Sequence, residues 1–120
     1  MVFQIVLVAI GGALGSVLRY LISLFVAHYF SSKLPLATFI INFLGCFLIG
    51  VFLDFSFRID EKLKYFLVIG FCGGFTTFST FANENLLLLQ SGNYLLALLY
   101  ILLSVVLGVI AVWLGIFLFR

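Results

Sequence analysis

Three short polar breaks divide an otherwise apolar chain into four runs. Each run is longer than the roughly 20 residues that a tilted helix needs to cross a bilayer. They extend from Phe3 to Ala27, Leu36 to Phe57, Tyr65 to Leu89 and Tyr94 to Phe119. Of the 120 residues, 66% are hydrophobic and 8% charged. A soluble domain of this length has too little interior to hide that much apolar surface, so the expected solvent is lipid. Backbone polar groups in hydrocarbon must be satisfied within their own segment, which an α-helix achieves. The expectation is an all-α integral membrane protein, one domain of four transmembrane helices over residues 1–120. Its turns are short, so sequential helices are expected as antiparallel neighbours.

The breaks are the turn from His28 to Pro35, which holds Lys33; the charge-dense loop Arg58-Ile-Asp-Glu-Lys-Leu-Lys64; and Gln90-Ser-Gly-Asn93. Four spans place both termini on one side. Arg58, Lys62, Lys64 and Arg120 then share that side, with Lys33 on the other and Arg19 nearer to it. The balance leans toward cytoplasmic termini. It is also the weak bias of a protein that inserts in both orientations. The net charge of +2 is scattered and gives no nucleic-acid footprint. Met1-Val-Phe-Gln-Ile has no basic segment and leads straight into a span, unlike a cleaved leader. Cys46 and Cys72 fall inside spans and read as small buried hydrophobes. The single histidine, His28, stands at a helix end. Neither a carboxylate pair nor a Ser/His arrangement nor a phosphate-cradling loop marks an enzyme.

The third run carries Gly70-Phe-Cys-Gly-Gly-Phe-Thr-Thr-Phe-Ser-Thr-Phe81. Glycine is a poor helix former, and the Thr/Ser residues can bond their own backbone. A break in the third helix is therefore expected, with Gly73 and Thr76 belonging to it. Freed carbonyls at mid-membrane are hard oxygen ligands for a cation such as Na⁺; the alternative is a tight crossing point without an ion. Phe78 and Phe81 share a helix face, either as packing or as rings whose positive edges face a small anion. Ser79 and Thr80 add hydroxyl donors beside them. Thr38 and Asn42 lie one turn apart on the second helix, suited to an interhelical hydrogen bond of about 1 kcal/mol or to an anion path. On the fourth helix Tyr100, Ser104 and Gly108 form a stripe that serves packing or a polar path. Arg19 reads as snorkelling or as facing a cavity. Gly11 and Gly15, with Gly12 and Ser16 beside them, read as a close-packing seam. Glu84, between Asn83 and Asn85, reads as solvated at the water boundary.

Gly11-Gly-Ala-Leu-Gly-Ser-Val-Leu-Arg-Tyr20, Thr38-Phe-Ile-Ile-Asn-Phe-Leu-Gly45 and the Gly70–Phe81 segment together resemble the small bacterial fluoride channels of the Fluc/CrcB family, over nearly the whole chain. The resemblance implies an antiparallel, dual-topology homodimer in the bacterial inner or plasma membrane. It also implies two fluoride pores and a central structural Na⁺ held by the carbonyls of Gly73 and Thr76 from both subunits. In that family Phe78 and Phe81 match the fluoride-facing rings, and Asn42 the pore amide. Tyr100 and Ser104 match a polar track, with Thr38, Ser79 and Thr80 alongside, and Arg19 a vestibule position. Some members carry serine where this chain has Gly108. The implied function is passive export of cytoplasmic fluoride, and thus fluoride resistance. Hydrogen fluoride crosses bilayers neutral and ionises inside, so a passive exit for the trapped anion suffices. A proton-coupled drug exporter would need a carboxylate embedded in the membrane, and the first span has none. A non-transporting subunit would need no mid-span polar cluster.

Overall fold

The structure is a computed structural model that describes residues 1–30 and 34–120; the reading of Lys33 lies outside the described residues. Helix α1 is Val2–Tyr29 and α2 is Leu36–Ile59. The third stretch starts as a π-helical segment, Lys64–Cys72, and passes into α3, Gly73–Phe75, and then α4, Phe78–Gln90. Helix α5 is Tyr94–Leu118. The described residues thus form four helical stretches long and apolar enough to cross a membrane, the third being the least apolar.

Local chemistry explains the ends. Pro35 precedes α2, where a missing N–H costs nothing. Gly92, at φ +83°, takes the left-handed conformation after α4, and the Gly92 and Asn93 N–H groups return to the carbonyls of Leu89 and Leu88. That turn reverses the chain into α5 within three residues.

The two most extensive pairings are α1 with the π-helical segment and α2 with α5. Both rest on glycine. A Cβ on Gly15 would strike the carbonyl of Phe71 and come within 2.9 Å of the Phe75 nitrogen. Gly50 and Gly115 play the same part between α2 and α5, where added carbons would strike the carbonyls of Val112 and Phe47. Helix association in lipid has little hydrophobic drive, so such backbone approach supplies the dispersion contact that holds the bundle.

The loop after α2 and both termini meet at one end of the bundle. Lys62 lies over the Phe3 ring, 5.6 Å from its centre. Arg58 pairs with Asp54 and also donates to the Phe119 carbonyl at 2.9 Å, closing the C-terminal end of α5. The outward faces of α1 and α5 are almost wholly apolar, with residues such as Phe25 and Trp113 more than half exposed. A lipid environment suits such a surface.

Candidate functional site

Helical backbone ends at Phe75 and resumes at Phe78. Between them Thr76 (φ −82°, ψ 156°) and Thr77 (φ −145°, ψ 113°) are extended. Gly73 keeps helical dihedrals (φ −62°, ψ −38°). The glycine pair therefore does not itself unwind. Gly74 instead lets the third stretch lie against Gly12 of α1, whose backbone a Cβ there would strike.

Neighbouring side chains take up the backbone groups of this segment. The amide of Asn42, on α2, faces Thr77: its Nδ2 donates to the Thr77 carbonyl at 3.0 Å, and its Oδ1 accepts from the Thr77 N–H at 2.9 Å. The interhelical hydrogen bond, one of the two readings of Asn42, is thus present, with one N–H left. Arg19 is half-buried, and its Nε donates to the Gly74 carbonyl at 3.0 Å. Thr76 turns its hydroxyl back onto the Cys72 carbonyl at 2.9 Å. Thr77 caps α4, its Oγ1 accepting from the Thr80 N–H at 3.2 Å and donating to the Thr80 hydroxyl at 3.0 Å. Ser79 lies 3.5 Å from the same oxygen. Ser79 and Thr80 are exposed on the single chain.

Among the described residues no donor reaches the carbonyls of Gly73 and Thr76. Both residues line an open cavity of about 480 Å³ together with Asn42, Gly45, Cys46, Thr77 and Phe78. Two unpaired carbonyl oxygens beside open space are the donor set that a hard cation takes. They fit the ion that the resemblance implies, although two oxygens fall short of a full shell.

The rings form a chain. Phe78 and Phe81 are 5.8 Å apart between centres, and Phe81 meets Tyr100 edge-on at 4.9 Å. Phe78 is 78% exposed, whereas Phe81 packs on the core of Leu88, Ala97 and Tyr100. Between α2 and α5 a pocket of about 10 Å³ is lined by Phe39, Asn42, Phe43, Ser104 and Gly108. Into this region falls the buried hydroxyl of Ser104, which has no hydrogen-bond partner among the described residues.

Glu84, expected as solvated at the water boundary, is instead held by protein donors. Its Oε1 accepts from the Tyr100 hydroxyl and its Oε2 from Thr38, each at 3.0 Å. Three elements thus converge on one carboxylate. Thr38 is buried at 4% exposure, so its hydroxyl needs this partner. Asn85, also read as a boundary residue, is buried; its Nδ2 donates to the Phe81 carbonyl at 2.9 Å, and its Oδ1 is unpartnered among the described residues.

Comparison with known proteins identifies the family. The family model described as "CrcB-like protein, Camphor Resistance (CrcB)" matches residues 6–116. A protein of Azobacteroides pseudotrichonymphae named "Fluoride-specific ion channel FluC" is 48% identical over 118 residues, covering 96% of this chain and 94% of the relative. A protein of Flavobacterium psychrophilum with the same name is 51% identical over 111 residues, covering 90% of each. One from Shewanella baltica, again of that name, is 47% identical over 114 residues, covering 93% of this chain and 92% of the relative. With a family model spanning nearly its whole length and relatives this similar, the chain belongs to the CrcB family.

Proposed function

We propose that this chain is a fluoride-selective channel, a multi-pass protein of the bacterial inner or plasma membrane that passively exports cytoplasmic fluoride. The relatives' names support the ion, and make the chain a channel rather than an enzyme. The observation that carries the reading is the Ser104 hydroxyl, buried without a partner among the described residues, in a pocket about the size of one water that Asn42 also lines. A small anion sheds its hydration only where donors replace it. The reading takes as its further donors the spare N–H of Asn42, the ring edges of Phe81 and Phe78, and the hydroxyls of Ser79 and Thr80, with Tyr100 and Thr38, whose hydroxyls donate to Glu84, alongside. Rings and hydroxyls hold an anion without a fixed charge, so it can leave again. The N-cap of α4, Thr77, is bonded to Asn42, so the partial positive charge of that helix end lies beside the amide.

The reading takes the third span as functionally broken at Thr76–Thr77, and the working unit as an antiparallel homodimer of dual topology with two pores. The cavity beside the extended residues supports a second copy: polar backbone open to lipid is not tolerated, and a protein surface must cover it. A second copy would also bring a second pair of Gly73 and Thr76 carbonyls. The four oxygens would hold a structural Na⁺, which neutralises carbonyl dipoles that otherwise stay unpaired in the membrane.

The test is flux. Purified protein in liposomes loaded with potassium fluoride, with valinomycin added, is expected to release fluoride rapidly at an electrode, while chloride-loaded liposomes stay full. Absence of fluoride release from a folded assembly refutes the channel and leaves a non-transporting subunit.

A further inference from the structure

An uninterrupted helix would continue past Phe75 by two successive bonds, from the Thr77 N–H to the Gly73 carbonyl and from the Phe78 N–H to the Gly74 carbonyl. Neither is present. In their place, the Thr77 N–H goes to the Oδ1 of Asn42, and the Gly74 carbonyl receives the Nε–H of Arg19. One competitor comes from α2 and the other from α1, on opposite partners of consecutive bonds. We infer that Arg19 is a positioning residue: its Nε, by holding the Gly74 carbonyl, helps to set where the third helix stops, and so places the Thr76–Thr77 segment on which the proposed pore depends.

The sequence spacing makes this possible. Gly11, Gly15 and Arg19 follow one another at four-residue intervals along one face of α1. The glycines bring the α1 backbone against that of the third stretch, and Gly74 lies against Gly12. Arg19 is the next residue of the seam, where the third helix ends. At such close approach the donor nearest the α1 backbone is the one that reaches the carbonyl, and that donor is Nε rather than the terminal fork. Among the described residues, the two Nη groups of Arg19 meet no acceptor and no carboxylate pairs with it. Among the described residues, the one hydrogen bond of its guanidinium is therefore to the carbonyl that ends the helix. A cation there also meets the negative end of the helix dipole.

A purely electrostatic role makes different predictions. If Arg19 only draws anions toward the span, lysine serves in its place. If Nε places the carbonyl, lysine fails, because its single donor sits one bond further out on a flexible stem. The first measurement needs no mutation: in wild-type protein in micelles, the Arg19 Nε–H is expected to exchange with solvent at least tenfold more slowly than its Nη hydrogens. The second is residue-resolved exchange of the Phe78 amide in Arg19→Lys and Arg19→Gln. The released Gly74 carbonyl then takes the Phe78 N–H, and exchange is expected to slow by up to about tenfold, the worth of one net hydrogen bond. The third is fluoride flux of the same variants in liposomes, expected to fall at least tenfold in both. An unprotected Nε–H, unchanged Phe78 exchange in both variants, or wild-type flux in Arg19→Lys each overturns the inference. The flux arm rests on the channel reading and the exchange arms do not. A wild-type protein that passes no fluoride refutes that reading while the clamp is still decided by exchange.

Discussion

Phe78 and Phe81 have the same side chain, and their surroundings make them separable. Phe78 stands 78% exposed on the single chain, whereas Phe81 packs edge-on against Tyr100. Replacing either ring by isoleucine removes its positive edge and is expected to cut fluoride flux at least tenfold in liposomes. Phe81→Ile, which loses its pairs with both Tyr100 and Phe78, should lower stability more than Phe78→Ile, which loses one, by about 0.5–1.5 kcal/mol for the extra pair, read by denaturant titration in detergent. Wild-type flux in both variants would remove the rings from the mechanism. Tyr100→Phe keeps the ring and takes only the donor to the Oε1 of Glu84. A half-buried carboxylate oxygen loses its partner, with an expected cost of about 1–3 kcal/mol. Fluoride release should slow with it, and unchanged release would place the Glu84 cluster outside the path. The pairing of Glu84 was not legible in the sequence. Its partners lie 46 and 16 residues away on other helices, and a carboxylate near a span end has the ordinary reading of solvation. Phe78, Phe81 and Asn42 come together as a set only through the family resemblance; from the residues alone, rings at helical spacing read equally as packing and the amide as an interhelical hydrogen bond.

At the scale of elements, the glycine seam of α1 was readable as spacing, but its partner was not. Four-residue repeats state that something approaches closely; only the fold shows that the approaching surface is the third stretch. The seam offers an internal control. Gly15 has no room, since its Cβ would meet the backbone of Phe71 and Phe75, which cannot rotate away. Gly12 has room, its Cβ meeting only the Gly70 carbonyl at 3.7 Å. Gly15→Ala is therefore expected to cost about 1–3 kcal/mol by overpacking. Gly12→Ala should be neutral or slightly stabilising, as alanine is the better helix former. Thermal unfolding of the two variants side by side checks the assignment; equal behaviour would mean that α1 does not touch the third stretch as described. The same stretch shows where composition misleads. Poor helix formers at Gly73 and Gly74 suggested that these residues unwind, yet Gly73 stays helical and the extended residues are Thr76 and Thr77. Propensity marks the weak region, while side chains from α1 and α2 decide which bonds fail.

For the whole molecule, one geometric fact makes orientation measurable. The contacts of Lys62 with Phe3 and of Arg58 with the Phe119 carbonyl gather both termini at one end of the bundle. A label at the C-terminus therefore reports the placement of the whole chain. The charge pattern alone leaves orientation open: Arg58, Lys62, Lys64 and Arg120 stand against Lys33 and Arg19, a small basic excess. An antiparallel pair needs both orientations in one membrane, because each cavity beside Thr76–Thr77 is to be closed by a copy running the other way. With Arg120→Cys, a membrane-impermeant maleimide applied to intact cells is expected to label about half of the chains, and detergent permeabilisation should label the rest. Native Cys46 and Cys72 lie within the spans, so the unsubstituted protein sets the background. Under mild detergent the assembly should weigh twice the 13.4 kDa of one chain. Labelling of all chains or of none would leave each copy facing the same way, and an antiparallel dimer could not form. A dimer of the expected mass with uniform labelling would then demand a parallel pairing, in which Gly73 and Thr76 of the two copies could not meet about an axis in the membrane plane.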